Sequence, residues 1–349
     1  MKNILVIRLS AMGDVILSLP VIRSVLFLNP DLTITVLTRE PFHSFFLNIE
    51  RLHVVTAKVK NEHKSAAGLI RLKKELTTQR SYDAVIDLHD VLRSRLLSFL
   101  FRISGTPIYR IKKDRTSKKK IIKTKVTTSL PHTSIRYLEV FEAAGLKTDF
   151  SIALKTKPGI NVSEADLLLA EKFSTNVPEV IKIGFAPFAK HATKTLPVEK
   201  SEELIKKLTE KKYGVYLLGG KEEQKYFEEW TKKYQGVYST LSLTLLQQTA
   251  LLQQMNAVIS MDSANMHLAA VQGVPVISIW GATHPCFGFS GIDTDSSTWI
   301  STPHQLPCRP CSVFGNKPCS NITSPLACLY EIDTDEIVNK TIALIQKNA

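Results

Sequence analysis

The chain has 349 residues, more than one ordinary hydrophobic core holds and enough for two domains of usual size. It is 44% apolar and 22% charged, and no uninterrupted apolar stretch nears the roughly 20 residues that span a bilayer, which rules out collagen-like, disordered and membrane-spanning classes. The net charge of +13 is unevenly placed: residues 1–160 hold 28 Lys and Arg against 13 Asp and Glu, and residues 161–349 hold 17 against 19. A strand is expected at 4–7, then a helix over 15–28 in which Val15, Ile16, Leu19, Ile22 and Val25 share one face. Further strands fit 33–37, 52–55, 84–88 and 108–111, with helices over 66–79, 91–103 and 132–144, the last stopped by Gly145. A polar stretch around Pro158-Gly159 reads as a linker, 155–161. Beyond it, strands fit 181–185, 215–218, 257–260 and 274–279, and helices fit 199–210, 222–233, 243–253, 265–272 and 334–347.

This grammar, repeated on both sides of a linker, predicts an α/β protein with two doubly wound, mostly parallel sheets facing a central cleft. The expected domains are 1–154 and 162–333, with a C-terminal helix in 334–349 packing back on the first. Ligands of such sheets lie at the carboxyl ends of the strands. The chain opens directly on a strand with no apolar leader, so it is expected in the cytoplasm.

Two strings stand out. In RLSAMGDVILSLP the strand-to-helix loop has one glycine, Gly13, and an acid after it, Asp14. A phosphate loop at that junction would favour an anion, so Asp14 points to a base or to a helix cap. In SMDSANMHLAAVQGVPV, residues 260–276, a strand turns into a helix through Asp262, Ser263, Ala264 and Asn265, with His267 one turn in. The helix N-terminus is an anion site, and His267 could add a hydrogen bond or charge. Asp262 as a plain cap and His267 as a core residue fit the same string.

The string D-S-A-x-x-H-L-A-A-x-x-G-V-P, with Gly281 and Thr283-x-Pro285 after it, resembles the nucleotide-sugar signature of the bacterial heptosyltransferases, glycosyltransferase family 9. G-D-V-I-L-S-L-P resembles the N-terminal signature of the same family. The resemblance implies the GT-B fold of two Rossmann-like domains, acceptor on the first and nucleotide-sugar donor on the second. It implies a metal-independent, inverting transfer of heptose from ADP-heptose to the lipid A-linked inner core of lipopolysaccharide, with no cofactor. Asp14 would be the base; Asp262, Ser263, Ala264 and His267 would hold the donor phosphates, with Lys194 of Lys-Thr-Leu-Pro and, from its place at the helix N-terminus, the Asn265 N–H; Glu222, or the adjacent Glu223, would meet the nucleoside. Ala264 stands where the family often has Gly, and Leu196 where it usually has Trp. A GT-B transferase for another nucleotide sugar is the alternative.

The basic excess, densest over 110–125, suits an anionic glycolipid acceptor. The hydrophobic-basic stretches 41–47 and 91–103 are candidate peripheral contacts with the inner face of the cytoplasmic membrane, although 91–103 also reads as a packed sheet helix. Nucleic acid is a poor partner, because the basic run has only Tyr109 at its edge for stacking. A monomer is expected. All five cysteines follow residue 285, and Cys308-x2-Cys311-x7-Cys319-x8-Cys328 is a weak zinc candidate, with reduced thiols in an irregular loop as the other reading.

Overall fold

The computed structural model describes residues 1–155, 159–175, 178–292, 297–302 and 306–348. The elements begin β1 (Asn3–Ile7), α1 (Met12–Leu28), β2 (Thr33–Thr38), β3 (Leu52–Thr56), α2 (Ala66–Gln79), β4 (Ala84–Asp87), α3 (Leu92–Ile103) and β5 (Ile108–Arg110). Next come α4 (Arg115–Thr124), α5 (Thr133–Ala143), α6 (Phe150–Lys155), α7 (Glu164–Thr175), β6 (Lys182–Ala186), α8 (Val198–Glu210), β7 (Gly214–Leu217) and α9 (Gln224–Lys233). The remainder is β8 (Val237–Ser239), α10 (Leu245–Leu252), β9 (Ala257–Met261), α11 (Ala264–Val271), β10 (Val276–Ile279), β11 (Ser297–Ile300), α12 (Ala327–Tyr330) and α13 (Thr334–Asn348).

The chain divides into two compact units, Met1–Lys113 with His132–Asn161, and Asp114–Pro131 with Val162–Ala349. In the first, five parallel strands lie in the order β3-β2-β1-β4-β5. Ile4, Leu5, Val6 and Ile7 of β1 are fully buried, as a central strand covered on both faces requires. Leu5 and Ile7 share a core with Leu72, Leu97 and Phe101 from α2 and α3. The second unit has six parallel strands in the order β11-β10-β9-β6-β7-β8. Counted from its own first strand this is 3-2-1-4-5-6, the dinucleotide-binding order. In each sheet the strand order therefore reverses once, between β1 and β4 in one and between β6 and β9 in the other. Those switch points are where the crevice of a doubly wound sheet opens.

Four expectations change. Most of the basic run is not part of the first unit: only 110–113 stay there, while 115–124 is helix α4 and belongs to the second. Its Ile121 is buried with Cys286 and Phe287, Lys118 lies 4.3 Å from the Phe289 ring, and Lys125 Nζ donates to the carbonyls of Cys308 and Pro310, each at 3.0 Å. The C-terminal helix α13 packs on its own unit, where Ile337, Val338 and Leu344 join the core and Lys207 reaches Asp335 at 2.8 Å. In 41–47 the aromatic side chains expected at a membrane are turned inward, since Phe42, Phe45 and Phe46 are buried and Leu47 alone of the large apolar residues is exposed. Finally, Gly13 is not in the strand-to-helix loop; it is the second residue of α1. In the expected linker, residues 156–158 lie outside the described residues, while Gly159 and Asn161 accept hydrogen bonds from Arg23 of the first unit.

Candidate active site

At the switch point of the first unit, β1 runs into α1 and β4 into α3. Asp14 sits at the third position of α1, where it accepts a hydrogen bond from the Ala11 N–H at 3.4 Å and pairs with Arg8. Arg8 is buried, whereas the Asp14 side chain keeps about 28% of its surface exposed. A second hydrogen bond ties the Arg8 Nη1 to the Leu88 carbonyl at 2.5 Å, and the guanidinium lies 5.7 Å from the Tyr137 ring. Burial opposes the charge on Arg8, but attraction to Asp14 and Tyr137 outweighs it, so the guanidinium holds its proton more tightly than usual. Asp14 is thus a carboxylate held from beneath by a fixed cation, with its outer face open.

Beside it, His89 follows β4. Its backbone N–H and that of Asp90 both donate to Asp87 Oδ1, at 3.0 and 2.9 Å, and its Nε2 lies 3.3 Å from Ser10 Oγ. Burial, reinforced by the positive charges of Arg8 and Lys113, pushes the imidazole down to about 3, so it is neutral at ordinary pH.

In the second unit β9 ends at Met261, and the next residue, Asp262, turns inward. It is not a helix cap. Asp262 Oδ2 accepts from Lys194 Nζ at 2.8 Å and from Thr283 Oγ1 at 2.7 Å, joining the ends of three neighbouring strands. The cap of α11 is Ser263, whose hydroxyl meets Ser260 Oγ at 3.2 Å rather than its own helix, leaving the first-turn N–H groups around Ala264 and Asn265 to point outward. His267 is buried one turn in. Glu223 is occupied, accepting the Gly220 N–H at 2.7 Å, so of the two glutamates the exposed one is Glu222.

The cysteine segment is the roof support of this site. Cys311 and Ser312 donate their N–H groups to the Ala282 carbonyl at 2.9 and 3.3 Å, and Gly315 carries the stem of Lys194 across its bare Cα. All five cysteines are free thiols, and Cys308, Cys311, Cys319 and Cys328 line one small cavity with Thr193. Among the described residues no three His, Cys, Asp or Glu side chains are placed to hold a metal ion, so the zinc candidate has no preformed ligand set. Burial, and then neighbouring Cys308, push the Cys311 thiol up to about 12.

The structure therefore gathers Lys194, Asp262, Ser263, Ala264 and Asn265 at one switch point and puts Asp14 at the other, with Glu222 at the end of β7. Sequence reasoning missed Arg8, His89 and Thr283. Arg8 and Thr283 lay within quoted strings, but Arg8 and His89 are brought together only by the β1–β4 pairing, 81 residues apart in sequence.

Residues 69–315 match the model of glycosyltransferase family 9 (heptosyltransferase). The lipopolysaccharide core heptosyltransferase OpsX of Haemophilus influenzae is 22% identical over 289 residues, 81% of this chain and 80% of that protein. A family 9 glycosyltransferase from Veillonella parvula superposes with a TM-score of 0.78 at 20% identity, covering 99% of this chain and 98% of the other. ADP-heptose lps heptosyltransferase II of E. coli gives 0.71 at 18% identity, covering 99% and 100%. These likenesses extend over both units and agree with the GT-B fold. With its family model spanning most of the sequence, the chain belongs to glycosyltransferase family 9, the heptosyltransferases.

Proposed function

We propose that this transferase moves a heptose from ADP-heptose to the inner core of a lipid A-linked lipopolysaccharide acceptor, with inversion at the anomeric carbon and without a metal. The observation that carries the reading is the Lys194–Asp262–Thr283 cluster beside the open N-terminus of α11. Asp14 removes the proton of the acceptor hydroxyl as that oxygen bonds to the anomeric carbon. The bond from that carbon to the diphosphate oxygen breaks on the opposite face, and its electron pair leaves with ADP. Lys194 and the first-turn N–H groups of α11 meet the growing charge. Asp262 keeps the Lys194 ammonium aimed before the donor arrives, His267 backs the turn from within, and Glu222 meets the nucleoside. The names of the relatives support lipopolysaccharide as the acceptor class and ADP-heptose as the donor.

Calorimetric titration with ADP, UDP, GDP and CMP tests the donor: ADP should bind at least tenfold more tightly than the others, and a preference for UDP would overturn the reading. Asp14→Asn should lower turnover about 10²–10⁴-fold with ADP affinity unchanged. Near-full turnover in that variant removes Asp14 as the base. Wild-type turnover should persist in EDTA.

A further inference from the structure

Helix α3 is apolar on both sides. Leu97 and Phe101 are buried in the first unit's core, as a sheet helix demands. Its opposite side carries Leu92, Phe99 and Ile103, spaced i, i+7 and i+11 along one stripe, with Leu96 between them half-buried against the core. Three of these are well exposed: Leu92 at 85%, Phe99 at 55% and Ile103 at 68%. On the neighbouring α2, Ile70 is 56% exposed, three residues before Lys73, whose ammonium reaches Ser104 at the end of α3. Single exposed apolar residues are ordinary, but a row of them along one helix is the mark of a contact surface.

The charges around the stripe indicate its occupant. Helix α3 carries Arg93, Arg95 and Arg102 and no acid. Asp90 pairs with Arg95, and Arg102 stands exposed in the last turn. The outer part of α2 adds Arg71, Lys73 and Lys74 against Glu75. Without the 114–131 excursion the first unit still has 22 Lys and Arg against 12 Asp and Glu, a net +10, while the second has 23 against 20. Apolar side chains rimmed by cations match the boundary between acyl chains and anionic headgroups. Among the described residues no helix is long and apolar enough to cross a membrane.

We infer that the outer face of α3, with Ile70 of α2, is the surface by which this enzyme docks on an anionic lipid bilayer. Leu92, Phe99 and Ile103 enter the headgroup region, and Arg102 and the α2 cations contact lipid phosphates. The test is co-sedimentation of the full chain with vesicles of phosphatidylglycerol and phosphatidylethanolamine, compared with phosphatidylcholine vesicles, at low and high salt. Neither donor nor acceptor is present, so the result is separate from that of the transfer experiments. Wild type should partition onto the anionic vesicles at least tenfold better than onto phosphatidylcholine, and less so at high salt. Phe99→Ser/Ile103→Ser should lose at least tenfold in partitioning while keeping the wild-type thermal midpoint, since neither side chain supports the core. Arg102→Gln should weaken binding at low salt alone. Equal partitioning of the double variant and wild type overturns the proposal, as does absence of vesicle binding. A dimer in sedimentation velocity that the double variant dissolves, without vesicle binding, would assign the stripe to a second copy of this chain.

Discussion

Asp14 and Asp262 are both acids directly beyond a glycine or a strand end, and either could have been a simple cap. Their partners separate them: one is held by a buried arginine with its outer face open, the other is bound to a lysine and a threonine at the end of its sheet. His89 gives the first half-site a pH signature. Its folded value of about 3 lies below the usual histidine value near 6.5, because of burial and the charges of Arg8, Lys113 and Arg39, with Asp14 acting in the opposite sense. Between those pH values the unfolded chain binds a proton that the native site refuses, so stability falls as pH drops through that window and is unaffected by this group above it. His89→Gln should remove that contribution. Urea unfolding at pH 7.5 and 4.5 should show wild type losing more stability than the variant, by at most about 1.4 kcal/mol per pH unit below 6.5. Equal losses would show that His89 becomes protonated within the folded protein.

The elements were legible where hydrophobic periodicity acted locally. Buried central strands such as β1 and β9 show continuous apolar runs, and the helices after them fall near their expected places. Short edge strands do not announce themselves: β8 and β11 have three and four residues, and pairing with a neighbour, rather than their own composition, makes them strands. Helix α4 was hidden for a related reason, since its apolar partners Phe287 and Phe289 lie more than 160 residues away. Residues 306–326, with Cys308, Cys311 and Cys319, form no helix or strand, yet they set the position of Lys194. Gly315 has a φ of +74°, and a Cβ there would lie 2.3 Å from Lys194 Cδ. Gly315→Ala should therefore cost about 1–2 kcal/mol in backbone strain and push the lysine off Asp262. Calorimetry should show ADP binding weakened about tenfold, with the thermal midpoint lowered; unchanged ADP affinity would mean Lys194 does not bear on the donor.

For the whole molecule, the family signatures in the sequence point to both switch points, because each signature spans a strand, a turn and the start of a helix. The path of the chain between the units was not legible, since composition alone assigns the basic run to the half in which it is written. Residues 114–131 leave the first unit, join the second and return at His132, so the chain crosses between units three times. This path has a consequence for synthesis. Ile121 emerges long before Cys286 and Phe287, with which it is buried. At ordinary translation rates that gap lasts roughly 8–30 s, during which the first unit's sheet is already complete. Ribosome-bound chains halted before residue 286 should be cut by trypsin within 115–125, whereas chains released at full length should resist there. The last part of the gene thus supplies the shelter for a helix encoded in its first half, and a truncation that spares every site residue but ends before Cys286 leaves that helix a target for proteases and chaperones.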